Sequence, residues 1–352
     1  MSEIVFAYPG DLQTLTGGYV YDRQLIEALR ATGQKVRTLA LGEGFPHPDA
    51  ATVATAIDRL AAATGDVLIV DGLAYGRLPA EGLARVGVPM IALVHHPLAL
   101  ETGLSPEVAA AFRADERAAL QECAAVLVTS PHTAAVVRAD FAPDNTPVTV
   151  APPGLDRAFW GGLTKAPEAV PRVVSVASIS PRKGFDVLVD ALARVADRPF
   201  AVDIVGSLTR DPNAAAVLKD DIAERGLSHR VTLHGEAPDT VIRTLYSRAD
   251  VFALASRYEG FGMVFAEAMA AGLPVVGCRG GAVPDVVPEE AGVLVAVDDA
   301  PGFAEALSHL LSDAGRRAQM GEAAKKAADR CLTWPETAAI VSDLIGTVRA
   351  QS

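Results

Sequence analysis

Short apolar runs alternate with amphipathic stretches along almost the whole chain. Glu3 to Tyr8 is a brief β-rich run, and Tyr19 to Arg30 carries its apolar residues at helical spacing before Gly33, a natural C-cap. Lys35 to Leu41 predicts a strand, Asp49 to Ala63 an alanine-rich helix, and Asp66 to Asp71 and Pro89 to His95 two further strands. Ser105 to Cys123 predicts a helix with Ser105 as its N-cap, followed by a buried strand over Ala125 to Thr129. A stretch rich in proline and glycine then runs from Ala142 to Pro171 and holds one strand candidate, Pro147 to Ala151. The alternation restarts at Arg172. Strands are expected at Arg172 to Ala177, Phe200 to Val205, Arg230 to His234, Val251 to Leu254, Pro274 to Gly277 and Val293 to Val295. A last helix is expected around Trp334 to Val348, with spaced Ile and Leu residues that give it a face to dock.

Strand–helix alternation of this kind implies parallel sheets covered on both faces and joined by right-handed crossovers. At 352 residues the chain exceeds what one hydrophobic core fills, so two α/β domains are expected. They are placed at 1–165 and 171–331, with the stretch from 142 to 171 between them and the helix 335–352 crossing back to the first. Doubly wound sheets gather ligands at the carboxyl ends of their strands. Here those ends are expected to face each other across a cleft.

Composition works mainly by exclusion. The formal net charge of −12 gives no general attraction to nucleic acid or anionic lipid. The longest apolar runs are strand-length, and the chain enters a strand within three residues, without the basic and apolar regions of a signal peptide. Three distant cysteines, Cys123, Cys278 and Cys331, form no C-x-x-C pair, which fits a reducing, cytoplasmic setting rather than a disulfide or structural zinc framework.

The segment from Ser256 to Asp285 carries the most chemistry. An apolar strand runs into Glu259-Gly260-Phe261-Gly262, and a helix follows from about Met263 to Ala271. Two glycines let the backbone approach a ligand, and the open N-terminus of a helix suits a phosphate. Glu267 lies inside that helix among Phe265, Ala266, Ala268, Met269 and Ala270, with little sign of a solvent-facing stripe. A carboxylate there calls for a designated partner, and ribose or sugar hydroxyls qualify. Ser178-Ile179-Ser180-Pro181-Arg182-Lys183-Gly184 places two cations after a strand, where they suit a diphosphate, although an Arg-Lys pair alone is most often a solvated turn. His95-His96 closes another strand. A histidine there serves as a buried hydrogen-bonded residue, a metal ligand or a group reaching a substrate, and no H-E-x-x-H or carboxylate cluster completes a metal set.

Taken together, Glu259 and Glu267, the run Ala268 to Val276, and the turn Gly280-Gly281 with Pro284 and Asp285 resemble the signature of the retaining family 4 glycosyltransferases, which have the GT-B fold. The resemblance implies that Glu267 holds the nucleotide ribose and Glu259 contacts the donor sugar. It also implies that the amides of Phe261, Gly262, Met263 and Val264 meet the sugar and phosphates. Lys183 matches the family's phosphate-binding lysine. The family's arginine position is occupied by Ser178, which leaves Arg182 as a substitute. Gly17 and Gly18 resemble the Gly-Gly loop that approaches the donor phosphate, and Leu233-His234-Gly235 the strand end that holds the nucleobase edge by its backbone. His95, with His96 as fallback, matches a histidine near donor and acceptor. Ser130 and Thr133 resemble an acceptor-side passage, and Val150 to Asp156 the stretch before the linker.

The resemblance therefore implies a retaining glycosyltransferase that moves a sugar from a nucleotide sugar to an acceptor hydroxyl. UDP is the first expectation for the donor, with GDP or ADP as alternatives. No cofactor and no metal are expected, since Lys183 and helix amides can stabilise the leaving diphosphate. Closure of the two halves is expected to accompany catalysis. The acceptor is expected to be a small molecule, a glycan or a lipid-linked acceptor, with a soluble one, or a membrane one presented by a partner, favoured. Arg113 and Arg117 against Glu107, Asp115, Glu116 and Glu122 disfavour docking of the Ser105 helix on anionic lipid. A sugar-nucleotide epimerase on the same fold and a non-catalytic sugar-nucleotide sensor are the rival readings. Neither sequence motif nor charge fixes an oligomeric state.

Overall fold

The computed structural model of the chain describes residues 3–143, 145–165 and 168–351. It divides into two compact units, one formed by Met1–Gly154 with Leu332–Ser352 and the other by Leu155–Cys331.

The first unit holds six parallel strands: β1 (Glu3–Tyr8), β2 (Lys35–Ala40), β3 (Val67–Asp71), β4 (Met90–Val94), β5 (Ala125–Val128) and β6 (Val148–Val150). Their order across the sheet is β2-β1-β3-β4-β5-β6. Strands β3, β4 and β5 are buried along their whole length. This is why they read as unbroken apolar runs: helices cover both faces of a parallel sheet, so neither face needs polar residues.

Among the flanking helices, Gly17–Ala31 packs beside the terminal helix Trp334–Gln351. The Tyr21 and Trp334 rings meet edge to face with centroids 5.6 Å apart. The Tyr21 hydroxyl donates to the Ala151 carbonyl at 2.9 Å, and the Thr337 hydroxyl to that of Pro152 at 2.7 Å. Gly154 is required at this junction, because a Cβ there would lie 2.2 Å from the Trp334 nitrogen.

The second unit repeats the plan with β7 (Arg172–Val176), β8 (Ala201–Val205), β9 (Val231–Leu233), β10 (Val251–Leu254), β11 (Val275–Cys278) and β12 (Gly292–Val295). Their order is β12-β11-β10-β7-β8-β9, and all the pairings are parallel.

Two sequence expectations change. The stretch from 142 to 171 is no single linker. Its β6 completes the first sheet, while Leu155 and Trp160 lie in the second unit's core, so the division falls at Gly154–Leu155 rather than near 165. The segment after β5, to which the sequence reading assigns no element, forms a helix, Pro131–Asp140. Ser130 caps it and proline occupies its first turn, both ordinary start signals. No helix among the described residues is long and apolar enough to cross a membrane.

Candidate active site

In the second unit, the loop after β7 ends in a single turn, Pro181–Lys183, and then Gly184 at φ 64°. A Cβ on Gly184 would lie 2.0 Å from the Ala255 carbonyl oxygen, so only glycine lets this loop pack against the end of β10. The arrangement swings Lys183 into the loop after β10. Its ammonium donates to both oxygens of Glu259, at 2.6 and 2.8 Å, and the Ser256 hydroxyl donates to Oε1 at 2.6 Å. Arg182 donates to the Tyr258 carbonyl at 3.0 Å and stands 3.8 Å from Glu259. Glu259 is buried. Burial alone would raise its pKa, but Lys183 and Arg182 outweigh that and hold the carboxyl below its ordinary value.

Gly262 adopts φ 97°, and the helix Met263–Ala270 starts directly after it without a side-chain cap. The first-turn amides of Met263 and Val264 are thus left for water or an anion. Glu267 faces the opposite situation from Glu259. It makes no hydrogen bond or ion pair among the described residues. Burial, with Asp239 adding to it, pushes its pKa up to about 8. A half-buried carboxyl with no protein donor is poised to accept from a ligand.

On the far side of β8, His234 is anchored by Asp203 at 2.7 Å, and Asp203 in turn accepts from Arg172 at 2.6 Å. The ring is thereby committed to the protein, while Gly235 follows at φ 73°. Ser178 is not bare of cationic company, because Arg210 donates to its hydroxyl at 3.4 Å and pairs with Glu236 at 3.3 Å. Arg210 was invisible to sequence reasoning. It enters from the loop after the neighbouring strand, with no motif around it.

In the first unit, Gly17 and Gly18 open the helix Gly17–Ala31, and a Cβ on Gly18 would come 3.4 Å from the His95 ring. His95 stands just past β4. Its Nε2 lies 2.9 Å from Asp22 Oδ1 and 4.0 Å from Asp71 Oδ2. Both carboxyl groups are buried, so the fold gathers around this histidine a carboxylate cluster that the sequence motifs did not show. Burial pushes Asp22 up to about 7 and Asp71 well above its ordinary value, the second helped by the charge of Asp22. Desolvation lowers the pKa of His95, opposed by Asp71. Asp22, Asp71 and His95 bring ligand-type atoms within 4.8 Å of one another. The close Nε2–Oδ1 contact has the length of a proton-bridged hydrogen bond.

His96 instead sits 3.7 Å from Glu101. Ser130 and Thr133 are fully buried and satisfy each other: the Ser130 hydroxyl donates to Thr133 Oγ1 at 2.9 Å and accepts from its amide at 3.0 Å. Phe261, Met263 and Val264 are half-buried at the start of their helix.

Comparison with known proteins bears on the family and the fold. The model described as glycosyl transferases group 1 matches residues 162–327. The chain is 29% identical to an MMP alpha-(1->4)-mannosyltransferase of Mycolicibacterium hassiacum, over 84% of this chain and 74% of that protein. It is 31% identical to a D-inositol 3-phosphate glycosyltransferase of Xylanimonas cellulosilytica, over 76% of this chain and 68% of that protein. Among solved structures, Anabaena HepE in complex with UDP-glucose superposes with a TM-score of 0.78 at 18% identity, covering 99% of this chain and 100% of HepE. Paired six-stranded parallel sheets, a lysine–glutamate site at the strand ends of the second and a relative of this closeness lead to one family: the chain belongs to the glycosyl transferases group 1, enzymes built from two Rossmann-like domains in the GT-B fold.

Proposed function

We propose that this enzyme is a retaining hexosyltransferase that takes its sugar from a nucleoside-diphosphate donor, UDP first, without a metal ion. The observation that carries the reading is Glu267, a desolvated carboxyl with no protein donor in the same unit as the Lys183–Glu259 pair. Ribose hydroxyls donate to carboxylates, and a diphosphate offers Lys183 the anionic partner that Glu259 now provides. HepE, solved with UDP-glucose, supports a uridine nucleotide, whereas the names of the relatives above give no nucleotide.

The physical demand of the reaction is to stabilise a departing diphosphate and a cationic sugar ring. Lys183 and the open amides of the Met263–Ala270 helix meet the first demand. Glu259, ionised because of its cations, meets the second. The bond from the sugar anomeric carbon to the β-phosphate oxygen breaks, and its electron pair leaves with the diphosphate. The acceptor oxygen then bonds to that carbon from the same face, and its proton passes to an oxygen of the departing phosphate. No protein nucleophile is needed. A sugar-nucleotide epimerase has less support, because the family match and the named relatives are all transferases.

The test is a thermal-shift screen against UDP-, GDP- and ADP-sugars with and without EDTA, followed by assignment of the product anomer by NMR. A ligand that binds the folded state raises the melting temperature. A shift with one nucleotide family that survives EDTA and disappears in Lys183→Ala is expected. No shift at millimolar ligand, or an inverted product anomer, defeats the reading.

A further inference from the structure

His95 is fixed through one ring nitrogen only. Its Nε2 meets Asp22 Oδ1 at 2.9 Å, while Nδ1 makes no hydrogen bond among the described residues, and a fifth of the side chain remains exposed. Beneath the ring, Asp22 is wholly buried and its Oδ2 lacks any conventional donor. Asp71 Oδ1 accepts from the Leu73 amide at 2.6 Å, and Asp71 Oδ2 lies 4.0 Å from Nε2. A buried acceptor without a donor is costly, and the group able to relieve Asp22 Oδ2 is the adjacent Asp71 carboxyl carrying a proton.

We propose that Asp71 and Asp22 form a proton-sharing carboxyl pair that holds His95 with its hydrogen on Nε2, leaving Nδ1 as an acceptor for a sugar hydroxyl. In this arrangement Asp71 donates its O–H to Asp22, His95 donates Nε2–H to the other Asp22 oxygen, and the cluster carries a single negative charge. Asp22 and Asp71 are positioning residues, and only His95 would touch substrate. The inference rests on the glycosyl-transfer reading for what Nδ1 binds, but not for the tautomer itself.

A second proton reverses the ring. Once Asp22 is protonated it donates to Nε2, and the ring hydrogen must move to Nδ1, which turns the acceptor into a donor. Asp22 takes that proton near pH 7, while Asp71 already holds one and His95 resists protonation. The other groups facing the pair come from the helix Gly17–Ala31. Arg23 favours ionised Asp22, and Tyr19 and Tyr21 are both raised and stay neutral. Glu43 and Asp11 act on Tyr19. Trp334, against Tyr21, bears no charge.

The experiment is a long-range proton–nitrogen NMR spectrum of the full chain labelled in histidine, with His95 assigned by its loss in His95→Gln, alongside kcat as a function of pH. The wild type should show the Nε2–H tautomer at pH 8 and move towards Nδ1–H below about pH 7, with kcat falling in step. In Asp22→Asn, protonated Asp71 still needs an acceptor, so the amide carbonyl turns to Asp71 and the NH2 to Nε2. The ring should then carry Nδ1–H at every pH, with kcat down about a hundredfold. In Asp71→Asn, an NH2 replaces the O–H donor, so the Nε2–H tautomer should persist with a loss at least about tenfold smaller. An unchanged tautomer in Asp22→Asn, or equal damage from both variants, overturns the proposal. Should Asp22→Asn not fold, a wild-type tautomer that ignores pH between 6 and 8 overturns it equally. A wild-type chain that transfers no sugar defeats the transferase reading alone, because the tautomer is measured without substrate.

Discussion

Lys183 and Glu259 are separated by 76 residues in sequence, yet the ammonium lies 2.6 and 2.8 Å from the two carboxylate oxygens. Both side chains are largely buried, so each is the other's main compensation for lost water.

Removing the lysine therefore has two consequences. Lys183→Ala should lower kcat/KM by about 10²- to 10³-fold, through lost stabilisation of the leaving group. It should also cost about 3 kcal/mol of stability by stranding Glu259. Adding Glu259→Gln should recover most of the stability and none of the activity, as a double-mutant cycle in urea would show. Because the folded pKa of Glu259 is depressed, the pair's contribution is present above the ordinary carboxylate value and is lost as pH falls through the folded one.

Glu267 has the opposite sign. Its folded pKa is raised to about 8, so stability declines as pH climbs from the ordinary carboxylate value to that point. The melting temperature of Glu267→Gln should exceed that of the wild type by a margin that grows from pH 5 to pH 8 and then levels off. Nucleotide affinity should fall about tenfold or more in the same variant. Donation by ribose hydroxyls favours the ionised form, so nucleotide binding near pH 7 should release protons. Titration calorimetry in two buffers of different ionisation enthalpy measures that release, and equal heats in both would count against Glu267 as the ribose acceptor.

Gly184→Ala should destabilise the second unit by about 2 kcal/mol or more, since it combines a positive φ with a 2.0 Å clash against the Ala255 carbonyl. Gly346→Ala provides the contrast. That position is exposed in the terminal helix with nothing within 4 Å of a Cβ, and alanine should stabilise by up to about 1 kcal/mol. Denaturant melts of both variants check the pair.

Trp334→Ala should weaken the first unit and reach the site as well. Trp334 supports Tyr21 from one side, and Tyr21 packs its ring 5.1 Å from that of His95. A loss of about 2 kcal/mol is expected, with a fall in kcat larger than the change in nucleotide affinity. Equal loss of both parameters would place the effect on global stability alone.

The strands were legible because burial on both faces leaves an unbroken apolar word in the sequence, as in Val67–Asp71. Lys183, Glu259 and Glu267 were legible because their loops and helix are contiguous patterns. Their differing ionisation was not, since it depends on which distant cation the fold delivers to Glu259 and withholds from Glu267. Asp22 and Asp71 escaped notice for a related reason. Asp22 sits in an amphipathic helix, where an acidic residue ordinarily faces water, and Asp71 at a strand end resembles a simple cap, which it also is. Only the fold, which sets β3 beside β4 and brings Asp22 to 2.9 Å from the His95 ring, turns them into the floor beneath it.

The chain leaves the first unit at Gly154 and returns to it only at Leu332. During synthesis the first sheet is therefore complete long before the helix that carries Trp334 and Thr337 has left the ribosome. Until that helix emerges, Tyr21 lacks its ring partner and the Pro152 carbonyl its hydroxyl donor. The second unit, a continuous segment, has every residue it needs while its host is still unfinished. A chain that stops between Cys331 and Trp334 thus has every residue of the second unit and lacks the closing helix of the first, so a defect just after Cys331 should surface as misfolding of the amino-terminal unit.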